Sequence, residues 1–144
     1  MSQLSELARP FPESHIKSKP GSYSAPYVDH AVINQRLLQV VGPFDWEVGE
    51  FILSPEGLIA GCVGTLTCEI DGRRVRVSEV GDVANPKAAN GENAQIAASQ
   101  AFKRCAMRLG LGLHLWSGDL YFLDKALSGG VSGPVTAGAT MEVS

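Results

Sequence analysis

The chain has 144 residues, which fits one compact domain with a short tail and argues against a multidomain enzyme. Hydrophobic residues make up 44% of the chain and charged residues 19%, a balance that excludes a wholly disordered protein. The net charge of −3 does not indicate a nucleic-acid binder, but basic residues outnumber acidic ones by seven to three between Arg73 and Arg108. A basic surface can therefore exist on this acidic protein.

Residues 1–22 are polar and contain Pro10, Pro12 and Pro20, so the sequence predicts an N-terminal arm without a regular element. The arm has no apolar run of the length that a secretory signal needs, and no other stretch is apolar for long enough to span a bilayer. We therefore expect a cytoplasmic protein with no membrane partner.

A helix and three strands are predicted next. Asp29 is placed as the N-cap of a helix over about 29–41, because apolar residues recur at spacings of three and four and stop at Gly42-Pro43. Strand-like runs at 45–53, 58–70 and 74–80 are separated by short turns, of which Asp71-Gly72 is the stronger hairpin signal. These runs predict an antiparallel meander, with Arg74 and Arg76 on one side of the sheet.

A second, longer helix is predicted over 92–109, with Ala98, Phe102, Cys105 and Leu109 as its buried stripe. Residues 125–144 are rich in Gly, Ser and Thr and predict a flexible tail, which leaves 23–124 as the folded domain. The predicted fold class is α+β, an antiparallel three-stranded β-meander packed with a long helix (a β-β-β-α core) and preceded by a short helix.

The usual catalytic and cofactor motifs are missing from the sequence. It has no Walker A loop, and its histidines, His15, His30 and His114, form no metal-binding pair. The cysteines, Cys62, Cys68 and Cys105, contain no CxxC pair and are interpreted as small buried residues. We therefore expect no catalytic residue, no metal and no cofactor, with an enzyme that uses Cys105 or a histidine as the remaining alternative.

The charge on the second helix is uneven. Gln100, Arg104 and Arg108 follow each other at four-residue spacing, and Lys103 flanks them. Arg104 and Arg108 repel each other mildly, and no acidic residue three or four positions away relieves them. A basic stripe of this kind is usually a solvated face, but a phosphate backbone is a second way to neutralise it.

The stretch from Gly91 to Trp116 resembles the Rad fifty-two superfamily of single-strand annealing proteins, including its phage and bacterial members. The resemblance covers about 17–122 and rests on motifs that occur in the family's order. They are Tyr27 to Asn34, Gly42-Pro43-Phe44-Asp45-Trp46, Glu79-Val80-Gly81-Asp82, Ala101-Phe102-Lys103-Arg104-Cys105-Ala106, Leu109-Gly110-Leu111-Gly112 and Leu115-Trp116.

The resemblance implies a β-β-β-α core and assembly into a ring that holds single-stranded DNA in a basic groove. By the same resemblance, Lys103 and Arg104 match the Lys-Arg pair of that groove, Lys17 matches a basic residue before the first helix, and Lys87 falls near a second, outer DNA site. Eukaryotic members have a basic residue where this chain has Met107; Arg108 comes one position later. The candidate DNA-binding residues are Lys17, Arg74, Arg76, Lys87, Lys103, Arg104 and Arg108.

The predicted function is ATP-independent binding and annealing of complementary single strands in recombination and repair, by a homo-oligomeric ring. A bacterial or phage-infected cell is the expected setting, at the nucleoid, with a recombinase or single-strand-binding protein as a further partner. Two alternatives stay open: a DNA-end-protecting or recombinase-loading protein on the same fold, and a structural oligomer whose basic helix bridges subunits. For Trp46 and Trp116, core or subunit interface is favoured over base stacking.

Overall fold

The computed structural model describes residues 2–18 and 26–129. Two helices, a 3-10 turn and two short strands precede a three-stranded sheet, and three helices and a second 3-10 turn follow it. In chain order the elements are α1 Gln3–Ala8, a 3-10 turn Glu13–His15, β1 Ile16–Lys17, β2 Tyr27–Val28, α2 His30–Val41, β3 Asp45–Leu53, β4 Ile59–Ile70, β5 Arg73–Asp82, α3 Asn90–Arg108, α4 Leu113–Ser117, a 3-10 turn Gly118–Leu120 and α5 Leu123–Leu127.

The predicted fold class is confirmed. The three long strands form an antiparallel sheet in the order β3-β4-β5, and the predicted strand bounds hold to within two residues at each end. Asp71 and Gly72 both have positive φ, 51° and 79°, as a two-residue turn between β4 and β5 requires. A register shift between Val48 and Phe51 interrupts the pairing of β3 with β4.

α3 packs across one face of the sheet, mainly against β4 and β5. Phe102 and Cys105, both predicted to be buried, lie in the main core with Leu66 and Cys68 of β4. The prediction is wrong for one residue of the helical stripe, because Ala98 is only partly buried. Ala97 and Ala101 are fully buried instead, because the helix is turned so that its small residues rest on the sheet.

The prediction of an N-terminal arm without regular structure is wrong. α1 is a helix that begins after Ser2, whose hydroxyl accepts a hydrogen bond from the Ser5 N–H, and it buries Leu7 and Ala8 completely. Phe11 is buried beside them and lies under the Arg36 guanidinium, 3.9 Å from the ring centroid. The residues before β1 are therefore part of the core; the predicted boundary between residues 22 and 23 lies outside the described residues.

Specific polar contacts hold this N-terminal segment in place. The backbone N–H groups of Gln3 and Leu4 donate to the Asp71 carboxylate in the β4–β5 turn. Arg36 of α2 donates to the carbonyl oxygens of Arg9 and Pro10. Burial and the nearby Arg9 charge lower the pKa of Arg36 to about 10, so the guanidinium is still charged at neutral pH. The segment is tied to the sheet at one end and to α2 at the other.

The start of the predicted tail overlaps a helix. The predicted start is wrong, because residues 125–127 belong to α5, which contacts α1. The Tyr121 hydroxyl, just before α5, donates to the Ala8 carbonyl oxygen and adds a second link to α1. The predicted tail residues 130–144 lie outside the described residues.

α3 is the longest helix of the described residues, with 19 residues, and it carries Lys103, Arg104 and Arg108. Neither α3 nor any other helix in residues 2–18 and 26–129 combines the length and the apolar character needed to cross a membrane.

Candidate nucleic-acid interface

A groove of about 440 Å³ lies between β2, the middle of α3 and α4. Its apolar lining includes Ile33, Leu111 and Leu115, and its polar lining comes from Gln100 and Lys103. Two aromatic side chains complete it, Tyr27 of β2 and Trp116 of α4. The groove therefore combines a cation, an amide and aromatic rings above an apolar floor.

Lys103 is the cation of this groove. Its Nζ lies over the Tyr27 ring, 5.1 Å from the ring centroid, which is within the range of a cation–π contact. α3 and β2 bring the two residues together across 76 positions of sequence, so the pairing has no local signature. The ammonium has three donors and can contact a phosphate at the groove's edge.

A second cation reaches the same region from β1. Lys17 is paired in register with Tyr27 in the small two-stranded sheet, and its ammonium forms an ion pair with Asp29. The hydrogen bond and charge of Asp29 raise the pKa of Lys17, and the hydrogen bond from Lys17 lowers the pKa of Asp29. With Lys103 close enough to lower the pKa of Asp29 as well, the three groups carry a net charge of +1.

The Asp29 side chain does not cap α2. Asp29 does occupy the N-cap position, with extended backbone angles, but its carboxylate forms no capping hydrogen bond. The carboxylate forms an ion pair with the Lys17 ammonium instead. The N-cap assignment is therefore right for the backbone and wrong for the side chain.

Arg104 points away from this groove, although it follows Lys103 directly in sequence. It donates through Nη1 to the Val80 carbonyl oxygen at 2.7 Å and through Nη2 to Asp82 Oδ1 at 2.8 Å. Successive helical residues are separated by 100°, which turns Arg104 toward β5 while Lys103 stays beside β2. Arg104 fastens α3 to the last strand of the sheet.

Arg104 and Arg108 have acidic partners that lie outside their own helix. Arg108 forms an ion pair with Glu79, and Arg104 forms one with Asp82. Both acids come from β5, more than 20 positions away in sequence, and they lie under the helix because α3 packs along that strand. Local spacing along the helix could not reveal them.

The three other candidates lie elsewhere. Lys87 precedes α3 and pairs with Glu92 at 3.0 Å, 16 positions before Lys103 in sequence. Arg74 and Arg76 are exposed on β5, on the same side of the sheet as predicted, opposite Glu69 and Thr67 of β4. Lys17 and Lys103 thus both lie close to Asp29, and Lys103 is the one candidate residue that lines the groove.

The two tryptophans have different surroundings. Trp46 packs edge-on against Phe102, with ring centroids 5.2 Å apart, in agreement with a core position. Trp116 is 61% exposed at the groove. The prediction of a core position within this chain is therefore wrong for Trp116, and the prediction of a subunit interface stays a prediction. Sequence analysis missed Tyr27 and Trp116 as groove residues; the nearest signal was the apolar segment 111–116 directly after the basic helix.

The buried cysteines are held as thiols. Burial raises the pKa of Cys62 and Cys68, and burial together with Glu79 raises the pKa of Cys105 to about 11. A protonated thiol is a poor nucleophile, which argues against Cys105 in the enzyme alternative. Across residues 2–18 and 26–129, no three His, Cys, Asp or Glu side chains are grouped closely enough to hold a metal ion.

A scan of the sequence against models of known protein families finds no match, and a search of curated proteins finds no relative.

Proposed function

We propose that the protein binds single-stranded DNA without reading its sequence and anneals complementary strands without ATP. The observation that carries this proposal is the groove in which Lys103 lies over Tyr27 and the exposed Trp116 stands alongside. Proteins that hold single strands combine cations for the backbone with aromatic side chains for the bases. The motifs that resemble the single-strand annealing superfamily include both Lys103 and Trp116.

The proposal includes self-association into a ring or curved oligomer. β3 is an edge strand of nine residues, and Val48, Phe51, Ile52 and Leu53 on it are each more than 40% exposed. A long exposed apolar edge strand is a site for pairing with another chain. A continuous DNA groove would then be assembled from the grooves of successive subunits at the nucleoid of a bacterial or phage-infected cell, where a recombinase or single-strand-binding protein could join it.

The structural-oligomer alternative is less well supported. It requires the basic helix to reach acids on a neighbouring subunit, but Arg104 and Arg108 already form ion pairs with Asp82 and Glu79 of their own chain. End protection and recombinase loading need the same groove as annealing, and they differ from it in not accelerating the pairing of complementary strands.

We expect Lys103→Ala to weaken binding of an oligo-dT strand and of a mixed-sequence strand to the same extent. One lost phosphate contact should reduce the slope of log affinity against log salt by roughly 0.7 on single strands. Fluorescence anisotropy over a salt series measures both quantities.

Two variants serve as comparisons for Lys103→Ala. Lys125→Ala removes an exposed lysine on α5, away from the groove residues, and should leave both affinity and salt slope unchanged. Arg104→Ala should lower the thermal stability, since it removes the hydrogen bonds from Arg104 to Val80 and Asp82 of β5, and should leave the salt slope nearly unchanged. Wild-type affinity and slope in Lys103→Ala would remove this lysine from the DNA site.

A further inference from the structure

Trp116 is a large apolar side chain that this chain leaves mostly in water. It is 61% exposed, whereas the other tryptophan, Trp46, is partly buried and packs against the core. Gly112, with φ of 71°, allows the chain to turn sharply between α3 and α4, and this turn carries Trp116 back to the groove that contains Lys103. The exposed indole is therefore attached to a defined site and is not an isolated surface residue.

The groove beside Trp116 has the size and lining of a small-ligand site. Its volume of about 440 Å³ falls within the range of roughly 300–1,000 Å³ that such sites have. Leu111 and Leu115 supply an apolar floor, and Gln100 supplies an amide that can donate and accept hydrogen bonds. A flat, partly polar ring can contact both the apolar floor and the Gln100 amide.

The positive charge near the groove indicates which class of ligand the groove can bind. Lys103 and Lys17 give the region a net positive charge even after Asp29 is counted, which favours a ligand with phosphate groups. A nucleotide has both parts that the site can recognise, a π-face for the indole and a phosphate for the ammonium. An apolar protein segment carries no phosphate group for the Lys103 ammonium to contact.

We propose that this groove takes one base of the bound strand per chain, stacked on the Trp116 indole, while Lys103 contacts an adjoining phosphate. The inference rests on the proposed function and deepens it, since it assigns a base contact in addition to backbone contacts. Stacking of this kind tolerates every base, so the protein still reads no sequence. The bases between successive grooves stay available for pairing with a complementary strand.

The first test compares Trp116→Ala and Trp116→Phe with the wild-type protein in binding to an oligo-dT strand. Base–aromatic stacking is worth ~1–3 kcal/mol per base, so Trp116→Ala should bind roughly 5- to 150-fold more weakly. Trp116→Phe should keep most of the wild-type affinity, because a phenyl ring can also stack on a base. The salt slope should stay at the wild-type value in both variants, because no phosphate contact is removed, and this separates them from Lys103→Ala.

A strand of the same length with abasic sites in place of its bases isolates the stacking contribution. We expect wild-type protein to bind the abasic strand more weakly than oligo-dT, and Trp116→Ala to bind the abasic strand as well as wild type does. Leu120→Ala, which truncates an even more exposed apolar side chain outside the groove lining, is the matched control and should bind both strands like wild type.

Three other results would contradict the stacking inference, and each result has a different meaning for the proposed function. Wild-type affinity of Trp116→Ala for oligo-dT would overturn the stacking contact and leave the proposed function standing. A smaller oligomer of Trp116→Ala in light scattering would instead show that a second copy of the chain covers the indole. Failure of wild-type protein to bind either strand would overturn the proposed function and this inference together.

Discussion

Gly81→Ala should destabilise the protein by about 3 kcal/mol or more, because α3 rests directly on this glycine. A Cβ at position 81 would overlap the Ala97 carbonyl oxygen and the Ala101 amide nitrogen and lie 3.0 Å from the Ala101 Cα. These atoms belong to helix backbone, so they can give way only if the whole helix lifts from the sheet. Urea unfolding followed by far-UV circular dichroism measures the loss.

Gly91→Ala is the matched control. Gly91 lies in the first turn of α3, where an added Cβ meets nothing within 4 Å. Replacing a helical glycine with alanine at an unstrained site should leave stability unchanged or raise it by roughly 0.4–1 kcal/mol. Equal stability of the Gly81 and Gly91 variants would contradict the close packing of α3 on β5.

Leu7→Ala should cost about 3 kcal/mol of unfolding free energy, a size typical of a fully buried leucine. Leu7 has no exposed surface, and it packs with Phe11 and Leu37 in the main core although it belongs to the first helix of the chain. The same unfolding assay tests whether the N-terminal segment is an integral part of the domain.

Leu120→Ala makes the same side-chain change at a position that is 81% exposed, and its stability should stay within about 0.5 kcal/mol of wild type. A loss in Leu7→Ala as small as that of Leu120→Ala would mean that α1 is a detachable arm after all.

The sheet and the long helix could be predicted because their signals are local. Alternation along the predicted strand 58–70 places six residues on the core face: Leu58, Ala60, Cys62, Leu66, Cys68 and Ile70. The last four are buried, and Leu58 and Ala60 are only partly buried. The turn at Asp71-Gly72 fixed the β4–β5 pairing through two positive φ angles that Asp and Gly tolerate. Each of these features depends on residues that are neighbours in sequence.

The N-terminal segment could not be predicted because its stability comes from distant residues. α1 has only six residues, too few to be stable alone, and it is held by Asp71, Arg36 and Tyr121, which follow it by tens of positions. Its sequence carries no periodicity that could be recognised without those partners.

The candidate site could be predicted only in part, again because its residues meet through contacts between distant parts of the chain. Spacing on α3 grouped Lys103 with Arg104, but the two side chains diverge, since one meets Tyr27 and the other meets Asp82. The direction of a side chain around a helix can be read from the sequence; the strand that lies on each side of the helix cannot. Tyr27 and Trp116, which complete the groove, belong to elements far apart in the chain.

The most direct test of the central claim is the rate at which two complementary oligonucleotides pair in the presence of the wild-type protein without ATP. One strand carries a fluorophore and the other a quencher, so that pairing is followed as a loss of fluorescence. We predict that pairing is faster with protein than without it, and that the acceleration falls as salt weakens the phosphate contacts. No acceleration at protein concentrations that saturate strand binding would contradict annealing and favour end protection or recombinase loading.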